Sequence, residues 1–318
     1  MLRIRGLKTY FFTSSGVVNA VDGVDLDIGK GETVGLVGES GSGKTVTALS
    51  IMRLIPQPPG RIVHGEVLLE GDDLLKKTEH EMRKIRGDRV AMSFQDPMTY
   101  LNPVIRVGDQ IAEAIMLHQQ VSRSEAVKKA VDAMEMVQIP SAADRAREYP
   151  HQLSGGMRQR ILIAIAICCN PDLLIADEPT TALDVITQDQ ILELMRDLKN
   201  RIGSSLLLIT HDLGIVGELA DHVAVMYAGN LLEYGDVNTI LRRPRHPYTS
   251  GLLESTPRID WGKRRLKMIP GTIPDMVHPP AGCRFHPRCA QAKASCVSEQ
   301  PKLIEIEAGH MVACHTTK

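Results

Sequence analysis

Apolar residues alternate with polar ones at the start of the chain. Leu2–Leu7 and Val17–Ile28 both show near-alternate spacing, the pattern of half-buried antiparallel strands. The stretch 32–37, Glu-Thr-Val-Gly-Leu-Val, is instead a continuous apolar run and predicts a fully buried strand. It leads into a glycine-rich loop. Residues 45–54 follow with helical spacing, and Pro56 with Pro58-Pro59-Gly60 ends that helix. Residues 96–152 have another texture. Ile111, Ile115, Val127, Val131, Met134 and Val137 form apolar stripes among charged residues, which predicts a helical insertion between halves of an α/β core. Buried-strand runs return at Leu173–Asp177 and Ser205–Thr210. After about residue 240 proline becomes frequent, from Pro244 through Pro257 to Pro301, and four of the six cysteines fall after residue 280. A boundary is therefore expected near 235–245. The expected division is a core over 1–240 with a helical part at about 96–152, and a tail over 241–318.

Composition narrows the class. Charged residues are 24% of the 318 and hydrophobic ones 43%, which is ordinary for a globular protein. Lys+Arg is 37 against Asp+Glu at 38, so the basic excess of a dedicated nucleic-acid binder is missing. Aromatics are only 3%, which leaves Ile, Leu, Val, Ala and Met to build the core. The longest tempting apolar run, Ile161–Cys169, falls far below the roughly 20 residues of a membrane-spanning helix. Met1–Arg5 is basic but has no apolar run behind it, so no secretory signal is expected. The expected location is cytoplasmic, and any membrane role must come through partner chains.

Residues 38–45, Gly-Glu-Ser-Gly-Ser-Gly-Lys-Thr, fit G-x-x-x-x-G-K-[ST] between a strand and a helix. Gly38, Gly41 and Gly43, with Ser40 and Ser42, let backbone N–H groups close around phosphate oxygens, and the helix N-terminus adds its positive dipole end. Lys44 supplies a positive charge for the β- and γ-phosphates, and the Thr45 hydroxyl is placed to ligate Mg²⁺. The buried strand Leu173–Asp177 ends in two consecutive acids, Asp177 and Glu178. Asp177 can hold the metal, and Glu178 can orient and deprotonate an attacking water. Gln95, Asp184 and His211 also sit at or just beyond strand ends, where a parallel sheet places its ligand crevice.

Residues 153–160, Leu-Ser-Gly-Gly-Met-Arg-Gln-Arg, resemble the signature sequence of ABC-type ATPases. With the phosphate loop, Gln95, the acid pair, Asp184 and His211 in this order, the resemblance covers roughly residues 1–240. It implies an α/β core with a mixed sheet, flanking helices, an antiparallel β subdomain and a helical subdomain. It also implies two subunits sandwiching ATP between one phosphate loop and the other signature. Ser154, Gly155 and Gly156 open a helix, so a second set of N–H groups can face the γ-phosphate. By the same resemblance Gln95 contacts Mg²⁺ and senses the membrane partner, His211 contacts the γ-phosphate and Asp184 bridges the subunits. The adenine is expected to stack on an aromatic near the N-terminus, with Phe11 chosen and Tyr10 and Phe12 beside it.

Further stretches are similar to dipeptide/oligopeptide importer ATPases. These are residues 95–103, His246-Pro247-Tyr248-Thr249 with Leu252-Leu253, and residues 282–289. This implies an ATP-hydrolysing subunit on the cytoplasmic face of the membrane, with two transmembrane permease subunits and an external solute-binding protein. A second homologous ATPase subunit is expected, and a homodimer is the alternative. The competing reading is a soluble ABC ATPase with an iron–sulfur tail acting on nucleic acid or ribosomes; the near-neutral charge and the single ATPase unit oppose it.

The tail cysteines are spaced Cys283-x5-Cys289-x6-Cys296-x17-Cys314. Four thiols in a proline-rich segment suggest a metal site: an iron–sulfur cluster or structural zinc, with free thiols as the plain alternative. The missing C-x2-C pair weakens zinc, and the resemblance implies a [4Fe-4S] cluster; in a small irregular tail domain with little core of its own such a cluster would serve as a folding staple, with redox sensing as the alternative role. His286, His310 and His315 are spare candidates. Cys168 and Cys169 are read as buried small hydrophobes inside an apolar helix.

Overall fold

The structure is a computed structural model and describes residues 1–181, 183–256 and 268–317. Pro257, counted above among the tail prolines, lies outside the described residues. The chain divides into two compact units. One contains Met1–Gly29, Thr33–Lys76 and Ile209–Lys318; the other contains Lys30–Glu32 and Lys77–Leu208.

The first unit opens with β1 (Leu2–Thr13) and β2 (Gly16–Ile28), then β3 (Thr33–Val37), α1 (Lys44–Ile51), β4 (Gly60–Leu69) and the short β5 (Asp72–Asp73). The alternation of the first 30 residues does its expected work. β1 pairs antiparallel with both β2 and β4, in a sheet ordered β2-β1-β4-β5. Leu2, Ile4 and Leu7 of β1 are fully buried, as are Val24 of β2 and Val67 of β4. β3 is buried at all five positions, as its unbroken apolar run requires.

The second unit contains α2 (Glu79–Ile85), β6 (Val90–Ser93), α3 (Pro97–Tyr100), α4 (Val107–His118), α5 (Arg123–Met136), α6 (Ala142–Arg145), α7 (Gly155–Ile167), β7 (Leu173–Asp177) and α8 (Val185–Ile202), and the chain leaves it within β8 (Ser205–Thr210). The predicted helical stretch is there. Ile111 and Ile115 of α4 are fully buried, and so are Ala126, Ala130 and Met134 of α5. Val127, one of the expected core positions, is instead 38% exposed; the small alanines of α5 face inward in its place. β6 and β7 pair in parallel, Val90 against Leu173 through Ser93 against Ala176. Cys168 is not inside the helix as expected. α7 stops at Ile167, and Cys168 and Cys169 lie half-buried beyond it with their sulfurs 3.9 Å apart.

The chain then returns to the first unit with α9 (Leu213–Leu219), β9 (His222–Tyr227), β10 (Asn230–Asp236), α10 (Val237–Arg242), α11 (Pro247–Ser255), α12 (Ala294–Ser298), β11 (Ile304–Glu307) and β12 (His310–Val312). Here the strands follow the order β11-β12-β10-β9-β3. β9 runs parallel to β3 and every other pair is antiparallel, so the sheet is mixed. The tail does not stand apart from this sheet. Cys283, Phe285 and Cys296 sit in one hydrophobic cluster with Val37, Val223, Tyr227, Tyr248 and Ile240. The tail is therefore held at least in part by shared core burial, at about 25 cal/mol per Å² of apolar surface. Among the described residues no helix is long and apolar enough to cross a membrane.

Candidate functional site

β3 delivers the chain to the phosphate loop. At Gly38 the backbone turns with φ 156°, and a Cβ there would collide with the Met226 carbonyl. Gly43 caps α1 with φ 106°, and a Cβ there would strike the Ala20 carbonyl. Only glycine satisfies both sites. Lys44 is 5% exposed, and its ammonium is clasped by the loop itself. It donates to Gly38 O at 2.7 Å and Glu39 O at 3.0 Å, with Ser42 Oγ at 3.5 Å. Gly41, with φ 80°, and Ser40 sit at the loop's crest, and Thr45 stands in the first turn of α1. Within this unit Phe11 packs against Gly60 and is half-buried, Tyr10 Oη donates to Asp22 at 2.8 Å, and Phe12 is 50% exposed. His211 stands exposed just after β8, beside Asp212, whose carboxylate caps α9.

In the second unit Asp177 ends β7 and is buried. Glu178 follows with φ 45°, a left-handed conformation that a non-glycine residue adopts only under constraint. Its carboxylate is held from two sides: Gln95 Nε2 donates to Oε2 at 2.8 Å and Thr181 Oγ1 donates to it at 2.9 Å. Gln95 is thus on the candidate base, whereas the family resemblance pointed it at Mg²⁺. Ser154 caps α7, its Oγ accepting from Met157 N–H at 3.3 Å, so Gly155 and Gly156 begin the helix as expected. Asp184 caps α8. It accepts from Thr187 N–H at 3.0 Å and Thr187 Oγ1 at 2.7 Å, which hold its carboxyl below the usual range.

These parts match known proteins over nearly the whole chain. Residues 21–181 match the ABC transporter family, and residues 232–296 match the oligopeptide/dipeptide transporter C-terminal region. The oligopeptide transport ATP-binding protein AppD of Bacillus subtilis is 52% identical over 99% of this chain and 96% of its own length. The chain belongs to the ABC transporter ATP-binding subunits of the oligopeptide/dipeptide family. The dipeptide transport protein DppD of the same organism is 48% identical over 99% of this chain and 94% of its own. Among solved structures, the ATP-binding cassette MJ0796, described as a dimer in a post-hydrolysis state bound to ADP and Pi, aligns with TM-score 0.67 and 26% identity. That alignment covers 74% of this chain and 99% of the cassette. The chain is an ABC-type ATPase of α/β fold. The reading as an iron–sulfur ATPase acting on nucleic acid finds no support among these relatives.

Inside the family's C-terminal region, His246 caps α11 by accepting from Tyr248 N–H at 3.0 Å. Burial pushes its pKa down to about 3, so the ring is neutral. Glu233, fully buried, accepts from the N–H groups of Arg245 at 2.7 Å and His246 at 3.0 Å, and meets His310 Nε2 at 2.8 Å. Tyr248 reaches the phosphate loop: its Oη accepts from Glu39 N–H at 2.9 Å. His310, a spare ligand candidate, is thereby committed to Glu233. His286 Nδ1 lies 2.9 Å from Cys283 O, and His315 Nε2 lies 2.9 Å from Glu299 O.

The four tail thiols share one neighbourhood. Burial first, with smaller contributions from nearby Cys296, Cys314 and Cys289, pushes the Cys283 thiol up to about 11. They do not converge. Among the described residues no group of three His, Cys, Asp or Glu side chains is placed to hold a metal ion. The arrangement therefore does not fit a four-thiolate cluster as it stands. Cys314 Sγ is instead 3.0 Å from Thr316 Oγ1, and Cys296 Sγ accepts from Lys293 N–H at 3.4 Å.

Sequence reasoning missed Thr181, Tyr248 as a loop contact, Glu39 and Arg288. Thr181 had a readable signal, a hydroxyl three residues past the acid. The other three meet only across long sequence separations.

Proposed function

We propose that this chain hydrolyses ATP to drive uptake of dipeptides or oligopeptides through two transmembrane permease subunits, fed by an external solute-binding protein. The observation that carries this is the near-full-length likeness to transport ATP-binding proteins named for those solutes, spanning both the ATPase part and the C-terminal region. The peripheral position follows on the cytoplasmic side. A second, homologous ATPase chain completes the cassette pair, with a homodimer as the alternative. The domain division proposed is 1–240 for the ATPase and 241–318 for the tail.

The roles follow from chemistry. Gly38, Ser40, Gly41, Ser42 and Gly43 present N–H groups to the phosphates, and Lys44 trades its loop carbonyls for β- and γ-oxygens. Ser154, Gly155 and Gly156 of the facing subunit close the other side, with His211 at the γ-phosphate, Asp184 at the subunit junction and Phe11 against the adenine. Glu178 accepts the proton of the attacking water. The hydrogen bonds from Gln95 and Thr181 support this role, because they fix the carboxylate. Thr45, Asp177 and Gln95 are the donor set for Mg²⁺: a hydroxyl, a buried carboxylate and an amide oxygen are hard oxygen ligands suited to it. Bound Mg²⁺ would offset phosphate charge.

For the tail, the family resemblance is what supports a [4Fe-4S] cluster on Cys283, Cys289, Cys296 and Cys314, with the missing C-x2-C pair weighing against zinc; the thiols would have to draw closer than they stand in this structure, and no catalytic step depends on the cluster. Iron and acid-labile sulfide in anaerobically purified protein would support the cluster, and zinc alone would reject it. The transport reading is tested in proteoliposomes with the co-encoded permease subunits: peptide-dependent ATP turnover is expected, and turnover indifferent to peptide and binding protein overturns it.

A further inference from the structure

The tail sets two guanidinium groups between two thiols: Cys283-Arg284-Phe285-His286-Pro287-Arg288-Cys289. Arg284 is buried and pairs with Asp22, also donating to the carbonyl of Ala228. Arg288 goes elsewhere. Its side chain is 7% exposed, and its fork meets the Glu39 carboxylate, Nη1 to Oε2 at 2.9 Å and Nη2 to Oε1 at 3.2 Å. Its Nε donates to Pro270 O at 2.8 Å, and its guanidinium carbon lies 5.7 Å from the Tyr227 ring centre. The arginine is therefore held on three sides.

Glu39 is the second residue of the phosphate loop, and each of its polar groups is occupied. The carboxylate takes Arg288, the N–H donates to Tyr248 Oη, and the carbonyl accepts from Lys44 Nζ. A carboxylate in an anion-binding loop opposes the charge of the ligand. A bidentate guanidinium is the group that neutralises it in a fixed geometry.

We propose that Arg288 is a positioning residue for the nucleotide site: it neutralises and orients Glu39, so that the C-terminal tail sets the shape and charge of the phosphate loop. The contact links the oligopeptide-family tail directly to a loop common to all P-loop ATPases. The inference rests on the reading of residues 38–45 as the nucleotide site.

The test measures binding of a fluorescent ATP to the full chain, with melting temperature alongside. Arg288→Gln leaves Glu39 charged and unpaired, and should weaken nucleotide binding on the order of tenfold, the scale of one charge-assisted pair. The double variant Arg288→Gln/Glu39→Gln removes the stranded charge and should recover most of that affinity. Arg288→Lys keeps the charge without the fork and should fall between. Lys44→Ala is the control for the site itself. If it loses binding while Arg288→Gln binds like the wild type, the inference is overturned and the site reading stands. If the double variant binds no better than Arg288→Gln, the effect is packing and the inference is overturned. If Lys44→Ala binds normally, the site reading fails and takes the inference with it. Should Arg288→Gln fold poorly, Glu39→Gln alone decides: binding at least as tight as wild type supports the inference, and weakened binding overturns it.

Discussion

His246 offers a quantitative test of how the C-terminal region is built. It is 1% exposed, caps α11 through Nδ1, and packs against Phe285 with ring centres 5.8 Å apart. Burial lowers its pKa from 6.5 to about 3. In the unfolded chain the ordinary value returns, so between those values the unfolded state binds a proton that the folded state does not. Stability is then undiminished above the unfolded value and falls as pH drops through the window, fully lost only near the folded value. Between about pH 7.5 and about pH 5.5 one such group removes about 1.4 kcal/mol, or about 2–4 °C of melting temperature. His246→Asn keeps an oxygen to cap the helix but cannot titrate. It should melt lower at every pH, because the ring contact is gone. Its further loss between the two pH values should be smaller than the wild type's by that same increment. The assay is thermal melting of both full chains in parallel at the two pH values, which cancels groups common to both. An equal acid-induced drop in the two proteins would refute the claim that His246 is held neutral by burial.

Glu178→Gln should retain ATP binding and lose turnover by on the order of a hundredfold or more, the usual contribution of a general base; near-normal phosphate release from the assembled transporter would reject it as the base. Thr181→Val removes the 2.9 Å bond to Glu178 and should lower kcat about fivefold with KM for ATP little changed, the scale of one hydrogen bond; an effect confined to KM would contradict a role at the base. Gly43→Ala forces a Cβ into the Ala20 carbonyl at φ 106° and should cost about 1–3 kcal/mol or more in denaturant unfolding; an unchanged midpoint would show that the loop relaxes freely.

Much of the fold was legible because its signals are local. The alternation of Leu2–Leu7, the apolar run before Gly38 and the stripes at Ile111 and Ile115 each predict an element from a few neighbouring residues. The phosphate loop and the signature are legible for the same reason: glycines, a lysine and a capping serine act through adjacent backbone. Val127 misled because an apolar stripe states what a helix offers, while the partner surface selects what is buried, and α5 packs through its alanines. Cys168 misled because a run of apolar residues does not mark where a helix stops. The tail misled most. A proline-rich stretch with few large apolar residues reads as a segment without a core, yet Phe285 and two cysteines enter a core supplied by strands 50 or more residues earlier.

By itself the sequence determined the nucleotide chemistry and the family, since a phosphate-binding loop is written in eight consecutive residues and the transporter signature in another eight. Tertiary structure decided who holds those residues. Glu178 is oriented by Gln95, 83 positions away, and Glu39 is gripped by Tyr248 and by Arg288, 209 and 249 positions away. No local pattern encodes such pairs. Each is specified only when the folded chain brings two distant polar groups together, and the cost of leaving a shielded one unpaired selects the contact.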